Sequence, residues 1–404
     1  MKIMENFYIK NNTIFPSAFF STHKIFFRKL SRKLFNYIPI KTQNASKIGT
    51  ALVSYVTHPF TISLEELDRA PHTNPLECMI IVDLLLKKGF DVDVIDWTNK
   101  DFIPKKRYEI IIDVNNNLKR FSVGLNKKST KIFYITGAHW KYQNDAENKR
   151  LNDFYKRNGV YMEARRQLNP SENIENTDYA TSLGNNFAKD TYLFKKNEIV
   201  SVPLFSRVTF ESPKDKEFKN IAKNFIWIGG GGAIHKGLDL VIEAFRELPD
   251  FNLTILGPVN SEKDFEKYYK KDLYESENIT FYGRIDLKTQ KFKDIVKKSI
   301  GLIYPSCSEG QAGSVISGIH AGLIPIASYE SGVDVGPFGI VLETQTIEEI
   351  KQSLINISKE SEESLQHRAV AAWEYANKFH TVEKFTKKYD DFLNSVIVKE
   401  KYNE

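Results

Sequence analysis

Short apolar runs alternate with helix-patterned segments through the first half of the chain. This pattern predicts strands at residues 48–56, 91–96, 108–114, 132–136 and 179–183. It predicts one helix at 75–88, opened by Asn74-Pro75, and a charged, exposed helix at 144–158. Strands that alternate with helices are typical of a parallel sheet covered by helices.

The second half repeats this alternation. Strands are predicted at 224–228, 252–256, 278–282, 301–304, 323–327 and 339–342, and helices at 238–248 and 262–272 and from about 314 and 347. A long tail, 362–398, is helical in pattern, and 201–216, with Pro203 and Pro213, is predicted to link the two halves. The 404 residues therefore predict two doubly wound α/β domains of common size.

Residues 301–328 carry the most informative chemical pattern. A buried strand ends near Tyr304-Pro-Ser, and Glu309-Gly310, a small-residue loop at 311–314 and a helix follow. The backbone amides of such a loop and the helix N-terminus can hold an anion. Glu309 stands at the carboxyl edge of the strand, where open α/β sheets place their ligands. A phosphate-holding loop beside a carboxylate that can bind hydroxyls suits a nucleotide-sugar.

A second motif lies upstream of the first. Four consecutive glycines, 229–232, follow a predicted strand, and Lys236 opens the next predicted helix. Glycines let the backbone approach a diphosphate, and a lysine one step on supplies a point charge to it. Because a helix dipole repels a cation at the N-terminus, a functional role explains Lys236 better than a solvated surface position.

These two motifs, 224–245 and 301–328, resemble the donor-binding segments of the group 1 (family 4) glycosyltransferases, and the resemblance covers roughly 220–345 well. It implies the GT-B fold, in which two Rossmann-like domains face a cleft and the last helix crosses back onto the first domain. The expected division is a basic extension at 1–46, an acceptor domain at 47–205, a nucleotide-sugar domain at 206–378 and a crossover helix at 379–404.

The resemblance also implies roles for individual residues. Glu309 would contact the transferred sugar, Lys236 the leaving diphosphate, and His139 would lie beside the donor sugar, with His58 as the competing histidine of the first domain. The expected donor-binding residues are Gly230, Gly231, Gly232, Lys236, Gln311, Ala312, Gly313, Ser314 and Ser317.

Two positions depart from the family pattern. Gly231 stands where the family usually has an arginine, and Ser317 where it usually has a glutamate that grips the ribose hydroxyls. No metal site is expected, because Asp91-Val-Asp93 alternates like an ordinary strand and nothing else has metal-ligand spacing. No cofactor is expected besides the nucleotide-sugar, which is the co-substrate.

The predicted function is a metal-independent glycosyltransferase of the hexosyltransferase type, acting on a saccharide or lipid-linked acceptor in surface polysaccharide or glycolipid biosynthesis. The resemblance implies retention of anomeric configuration. Because of Gly231 and Ser317, an alternative is a catalytically weakened homologue that acts as a partner or regulatory subunit. Nucleic-acid binding is not expected, because no recognised module follows the basic N-terminus.

Charge is concentrated near the N-terminus. The chain carries +6 overall, and residues 6–64 contain eight basic and no acidic side chains. Phe27, Leu30, Leu34, Tyr37 and Ile38 recur at helical spacing, flanked by Arg28, Lys29, Arg32 and Lys33, until Pro39 closes the pattern. Such a helix, within 24–41, can lie on an anionic membrane surface or pack on the first domain with its basic side in solvent. A transit peptide is the third alternative.

The expected compartment is the cytoplasm, with peripheral contact on the inner membrane face. Cys78 and Cys307 have neither metal-ligand nor disulfide-framework spacing, which is typical of a reducing compartment. No apolar run reaches transmembrane length, and no signal peptide is recognised.

Overall fold

The computed structural model describes residues 2–4, 7–10, 13–16, 22–70, 72–193 and 199–403. Its first strands form a small antiparallel sheet of three: β1 (Lys2–Met4), β2 (Phe7–Lys10) and β3 (Thr13–Pro16). The sequence pattern did not predict these strands, which fall within the expected basic extension.

The first large domain is built on a seven-stranded sheet. Its elements are α1 (Thr22–Phe35), β4 (Ile38–Ile40), β5 (Gly49–Tyr55), α2 (Leu64–Asp68), α3 (Asn74–Lys87), β6 (Phe90–Asp96), β7 (Ile110–Asp113), α4 (Leu118–Phe121), β8 (Thr130–Ile135), α5 (Trp140–Asn158), β9 (Tyr179–Leu183), α6 (Asn186–Asp190) and β10 (Ile199–Val202). The strand order is β10-β9-β8-β7-β5-β6-β4, and all neighbours are parallel except β4 and β6. The parallel part has the doubly wound order of flavodoxin-like sheets.

The second large domain has a six-stranded parallel sheet. Its elements are α7 (Phe218–Ile221), β11 (Asn224–Ile228), α8 (Leu238–Arg246), β12 (Asn252–Leu256), α9 (Lys263–Tyr268), α10 (Lys270–Glu275), β13 (Ile279–Gly283), α11 (Gln290–Lys297), β14 (Gly301–Tyr304), α12 (Gly313–His320), β15 (Ile324–Ser328), β16 (Ile340–Leu342) and α13 (Ile347–Ser358). The order β13-β12-β11-β14-β15-β16 is that of the dinucleotide-binding Rossmann sheet. The strands predicted for this domain are confirmed to within one residue at each end.

The helical tail forms two helices, α14 (Glu362–Phe379) and α15 (Val382–Asn403), rather than one continuous pattern. The break lies at His380, whose Nδ1 is 2.8 Å from the carbonyl oxygen of Leu204 in the interdomain segment. Beyond it, α15 packs Phe385, Tyr389 and other apolar side chains into the core of the first domain. The crossover predicted for the end of the chain is therefore confirmed.

Several boundaries differ from the sequence pattern. Strand β4 pairs with β6, so the first domain begins before the expected residue 47. Strand β10 takes up the start of the expected linker, and the single helix expected at 262–272 is divided into α9 and α10. Helix α3 is preceded by Thr73 rather than capped by Asn74, and α11 was not predicted.

The segment 140–166, which we call the arm, belongs to the first half of the sequence but packs on the second domain. Phe154 is fully buried in the core of the second domain, together with side chains of β11 and α8. Arg157 is 2.6 Å from the buried Asp239 at the start of α8, and Arg150 donates to the Pro305 carbonyl at 3.1 Å. The expected domain division at 205/206 therefore does not hold for the arm. In the part of the chain that the structure describes, no helix is both long and apolar enough to cross a membrane.

Candidate active site

The two sequence motifs meet at one place in the second domain. The four-glycine loop follows β11 and the Glu309 loop follows β14, and these strands are neighbours at the point where the strand order reverses. Ligands of open α/β sheets bind at this switch point, beyond the carboxyl ends of the strands. Here it opens into a cavity of about 1000 Å³ lined by residues of both domains.

Lys236 and Glu309 form an ion pair in this cavity, with their side chains only 8% and 12% exposed. The Lys236 ammonium group also lies 3.0 Å from the Tyr304 hydroxyl, which donates to Glu309 at 2.9 Å. The Ser306 hydroxyl donates to the same carboxylate oxygen at 3.2 Å. Both side chains are therefore held in fixed positions at the carboxyl edge of the sheet.

The local backbone explains how Lys236 reaches this position. The sequence pattern suggested that Lys236 opens the helix. Helix α8 begins at Leu238, so Lys236 lies two residues before it. Gly237 between them has a φ of 70°, and a Cβ there would lie 2.5 Å from the Pro305 carbonyl oxygen. Glycine is needed at this position, because a side chain would meet both backbone strain and the loop that carries Glu309.

Glu309 is ionised at neutral pH. Burial alone would raise the pKa of its carboxyl, but the charges of Lys236, His235 and Arg166 and the hydrogen bond from Lys236 lower this pKa to about 2. A charged carboxylate is a strong acceptor for sugar hydroxyls. The arrangement can therefore bind a polyol beside a cation.

Only part of the four-glycine loop faces the cavity. Gly230 and Gly231 line it, but the amides of Gly232 and Ala233 donate to the buried carboxylate of Glu262, at 2.6 and 3.1 Å. Glu262 thus fixes the loop and occupies the Gly232 amide. Donor binding at Gly232, expected from the family resemblance, therefore remains a prediction that does not involve this amide.

The second loop lines the cavity with Gln311, Ala312, Gly313, Ser314 and Ser317, as its position predicted. Two of these residues have structural partners: the Gln311 side-chain oxygen accepts from the Leu204 amide at 2.6 Å, and the Ala312 amide donates to the Ser331 carbonyl at 2.8 Å. The Ala312 amide therefore already has a partner, and donor binding at Ala312 remains a prediction that does not involve this amide. Gly313 and Ser314 are in the first turn of α12, where amides have no partner within the helix.

Of the two histidine candidates in the first domain, only His139 lines the cavity. It caps α5, accepting from the Lys141 amide at 3.4 Å, and its ring meets the Tyr192 ring edge-on at 5.2 Å. Burial lowers the pKa of the His139 ring below its ordinary value. His58 begins a turn after β5 and is not among the lining residues.

Cationic side chains that the sequence pattern did not indicate also line this cavity: Arg69, Arg166, Arg207, Arg284 and Lys288. They come from separate loops of both domains, so no spacing in the sequence could bring them together. Lys288 forms an ion pair with Asp68 across the cleft, and Arg207 donates to the Leu67 carbonyl at 2.7 Å. His72, which the pattern did not indicate either, lies among three of these arginines, and burial together with their charges lowers its pKa.

The two domains touch directly beside Glu309. A Cβ on Gly310 would collide with the carbonyl oxygen of Thr136 at the end of β8, and one on Gly184 or Gly332 would collide with the Gly310 carbonyl. The Asn185 amide donates to the Gly332 carbonyl at 3.0 Å. The floor of the cleft is thus a close backbone-to-backbone contact that glycines permit.

The Asp91-Val-Asp93 run lies in β6, as its alternation predicted. Asp91 pairs with Lys41 and Lys47 at 3.0 and 2.6 Å, and Asp93 pairs with Lys106 at 2.7 Å. Across the described ranges, no group of three or more His, Cys, Asp and Glu side chains is arranged to hold a metal ion.

Comparison with known proteins places the second domain in a family. Residues 210–372 match the family model described as glycosyl transferases group 1, and this segment contains both motifs. Comparison with curated protein sequences gives no match.

Among solved structures, the chain superposes on sucrose-phosphate synthase from Thermosynechococcus elongatus with a TM-score of 0.59 and 12% identity, covering 87% of this chain and 99% of that one. WaaG, a glycosyltransferase involved in lipopolysaccharide biosynthesis, gives a TM-score of 0.52 at 14% identity, covering 84% and 98%. A mutant of S. aureus TarM, in complex with Fondaparinux, alpha-GlcNAc-glycerol and UDP, gives 0.50 at 14% identity, covering 70% of this chain.

These similarities concern the fold, because each identity is low. The chain spans only 55% and 64% of the two TarM structures it matches, but nearly the whole of sucrose-phosphate synthase and WaaG. The predicted GT-B architecture is confirmed by the two doubly wound sheets, the crossover helix and these neighbours. Residues 210–372 of this chain thus match the group 1 glycosyltransferase family model and lie in the second domain of a GT-B fold.

Proposed function

We propose that this chain transfers a sugar from a nucleotide-sugar to a saccharide or lipid-linked acceptor. The observation that carries the proposal is the convergence of Lys236 and Glu309, which are 73 residues apart in the sequence, at the switch point of a domain that matches the group 1 glycosyltransferases. In a bound nucleotide-sugar, the cation would bind the diphosphate and the carboxylate would bind the sugar hydroxyls.

The proposed chemistry breaks the bond between the sugar and the diphosphate. Negative charge develops on the leaving diphosphate, where Lys236 and the first-turn amides of α12 would stabilise it. Glu309 would accept a hydrogen bond from a hydroxyl of the transferred sugar. The donor's phosphate would replace Glu309 as a partner of Lys236, so the resting ion pair keeps both groups in place until the donor binds.

The acceptor would enter from the first domain, where His139 and His72 face the cavity. Contacts between the domains at Gly310 enclose the reacting bond and limit its exposure to water, which favours transfer over hydrolysis. Retention of configuration is proposed from the resemblance, and divalent metal is proposed to be unnecessary because Lys236 and the α12 amides supply positive charge to the diphosphate.

Titration calorimetry with nucleoside diphosphates, followed by mass spectrometry of a panel of nucleotide-sugars and acceptors, tests this proposal. UDP is the first probe, because the TarM complex contains UDP. We expect saturable binding without added divalent metal, and transfer from at least one nucleotide-sugar. Absence of nucleotide binding would overturn the proposal. Nucleotide binding without any turnover, together with tight binding of a protein partner, would favour the weakened homologue suggested by Gly231 and Ser317.

We further propose that α1 brings the enzyme to an anionic membrane, where lipid-linked acceptors are found. Phe26, Phe27 and Leu34 are each more than 60% exposed, and Leu30 is 43% exposed. Lys24, Lys29, Arg32 and Lys33 are exposed on the same helix. An apolar stripe flanked by cations suits the headgroup region of an anionic bilayer.

The structure changes two details of the predicted stripe. Ile38 is fully buried in β4 and Tyr37 packs against Phe102, so the stripe ends with α1. Arg28 is only 7% exposed, and burial lowers its pKa to about 10, so it cannot face a membrane as its position in the sequence predicted.

A further inference from the structure

The arm holds one arginine against the four-glycine loop of the other domain. The Arg166 amide donates to both carboxylate oxygens of Glu147 at 2.9 and 3.1 Å, and its carbonyl accepts from Gln143 at 2.5 Å. Glu147 and Gln143 are themselves buried on α5. The backbone at Arg166 is therefore fixed to a helix that is in turn anchored on the second domain.

Neighbouring contacts keep this anchor in place. Arg165 pairs with Asp264 at 2.7 Å, and Arg157 pairs with Asp239 at 2.6 Å, so both ends of the connection are tied to the second domain. Because the arm is attached to the domain that carries the glycine loop, Arg166 should stay over that loop when the two domains move relative to each other.

The Arg166 side chain lies directly on the loop. A Cβ on Gly232 would be 2.6 Å from Cγ and 3.0 Å from Cδ of Arg166. The side chain lines the same cavity as Gly230, Gly231 and Lys236. Its guanidinium group makes no hydrogen bond or ion pair with any residue that the structure describes, and the residue is exposed to the cavity.

The electrostatic effects locate this charge beside the proposed reaction centre. Burial raises the pKa of the Glu309 carboxyl, but the charges of Lys236, His235 and Arg166 lower it. Arg166 also contributes to the lowered pKa of His235. Arg284, another cavity arginine, lowers the pKa of His72, to which Arg166 and Arg207 also contribute. Arg166 is thus the cavity arginine that shares the surroundings of Lys236 and Glu309.

We propose that Arg166 binds the diphosphate of the nucleotide-sugar and supplies, from the first half of the chain, the cation that Gly231 cannot provide within the glycine loop. This inference rests on the proposed function. An unpaired guanidinium on a loop of glycines can approach two phosphate oxygens at once, which is the geometry in which arginine binds phosphate most strongly.

The arrangement also explains why glycine is suitable at two adjacent positions. Gly232 leaves room for the aliphatic part of Arg166, and its φ of 91° favours glycine independently. A Cβ on Gly231 would have Glu262 Oε1 as its nearest atom, at 3.8 Å, which is an ordinary contact. An arginine could therefore be introduced at 231 without a collision at its Cβ.

The test compares the affinity of variants for a nucleoside diphosphate and for its parent nucleoside. The probe is whichever of UDP, ADP and GDP the wild type binds most tightly, measured by titration calorimetry. We expect Arg166→Gln to weaken nucleoside diphosphate binding roughly ten- to a hundredfold and to leave nucleoside binding unchanged, because only the phosphate contact is lost. Lys156→Gln, which removes an exposed charge from the same arm, should change neither affinity.

A rescue experiment separates phosphate binding from a purely structural role. In the Arg166→Gln background, Gly231→Arg should recover most of the lost affinity, because it returns a cation to the same loop. An unchanged melting temperature of Arg166→Gln verifies that the arm remains folded. Arg166→Lys should lose less affinity than Arg166→Gln.

The outcomes distinguish this inference from the proposed function. If the wild type binds a nucleoside diphosphate and Lys236→Ala weakens that binding, but Arg166→Gln does not, the Arg166 inference is overturned and the proposed function stands. If Arg166→Gln weakens diphosphate and nucleoside equally, its role is structural and the inference is also overturned. If the wild type binds no nucleoside diphosphate, both proposals are overturned.

Discussion

The ammonium group of Lys236 is ion-paired with the carboxylate of Glu309 at the base of the cleft. The two residues come from different motifs, and the pairing is possible because β11 and β14 are adjacent in the sheet. The pair is nearly buried, so neither charge can be removed without changing the state of the other. A variant that removes one charge of the pair therefore has to be compared with a variant that removes both.

Replacing Lys236 by alanine should impair both nucleotide binding and stability. We expect a loss of nucleoside diphosphate affinity of about 1.5–3 kcal/mol, roughly ten- to a hundredfold. The variant also leaves the Glu309 charge uncompensated, which should lower the free energy of unfolding by about 3–5 kcal/mol. Calorimetry and urea denaturation measure the two effects.

The double variant Lys236→Ala/Glu309→Gln separates the loss of nucleotide affinity from the loss of stability, because it removes both charges of the ion pair. It should recover much of the stability but none of the affinity. Lys149→Ala, at a lysine whose side chain is 81% exposed on the arm, is the control and should resemble the wild type. Unchanged nucleotide affinity in a folded Lys236→Ala variant would exclude the proposed diphosphate role.

Glu309→Gln should lower turnover without lowering nucleotide affinity, because Lys236 remains available to the phosphate and no longer has to exchange a carboxylate for it. The amide keeps the size of the carboxylate but makes a weaker hydrogen bond to the sugar, at a cost of about 1.5–3 kcal/mol in the transition state, roughly ten- to a hundredfold in kcat/KM. Steady-state kinetics with the substrate found in the panel measure this change. Equal activity of variant and wild type would remove Glu309 from the proposed mechanism.

Gly310→Ala should disturb the contact between the domains. The new Cβ would collide with the Thr136 carbonyl, and an overpacked contact of this kind costs about 1–3 kcal/mol. We expect a lower melting temperature and lower turnover. Gly137→Ala is the control for melting, because the nearest atom to its Cβ is 4.0 Å away. If both variants melt at the same temperature, the backbone contact does not constrain the domains.

Acid should destabilise the fold through two buried histidines, His235 and His380. Burial, only partly offset by hydrogen bonds and nearby charges, lowers the pKa of each from 6.5 to about 4. The unfolded chain therefore binds more protons between pH 6.5 and about pH 4. Stability present above pH 6.5 is lost as the pH falls through this window, by about 1.4 kcal/mol per pH unit for each histidine.

Urea denaturation at a series of pH values measures this slope. His380→Gln removes one of the two groups and should reduce the slope by about 1.4 kcal/mol per pH unit. His367, which is exposed on α14, is the site of the matched control His367→Gln. A slope that is the same in His380→Gln and the wild type would show that His380 is not a source of the acid sensitivity.

Vesicle co-sedimentation should depend on anionic lipid and weaken as salt rises. Each basic residue near an anionic surface contributes about 1 kcal/mol, and this attraction falls off over a Debye length of roughly 10 Å in 0.1 M salt. Joint replacement of Lys24, Lys29, Arg32 and Lys33 by Gln should abolish membrane binding and spare nucleotide binding. Arg28 is left unchanged because it is buried.

The matched control replaces four exposed lysines of α14 and α15, namely Lys378, Lys384, Lys387 and Lys388, by Gln. This control variant has the same net charge as the α1 variant but an unchanged α1, and it should still bind anionic vesicles. If the wild type ignores anionic vesicles even at low salt, α1 has another role and the membrane proposal fails.

The sequence by itself predicted the strands of the second sheet, the fold class and the positions of Lys236 and Glu309 beside that sheet. Buried parallel strands such as β11 and β14 are short, nearly continuous apolar runs, and their bounds match the pattern residue for residue. Lys236 and Glu309 are recognisable because each follows such a strand in a local motif. Such patterns can be recognised from neighbouring residues alone, because they do not depend on contacts with distant parts of the chain.

Tertiary structure alone decided which groups share the cleft and which are already occupied. The arm places Arg166 on Gly232, a contact between residues 66 positions apart that no local pattern contains. The carboxylate of Glu262 accepts a hydrogen bond from the Gly232 amide. Arg28 is buried, although the sequence pattern placed it on the exposed basic side of α1. These facts depend on long-range packing, in which the partner of a charge or an amide is set by distance in space and not by spacing along the chain.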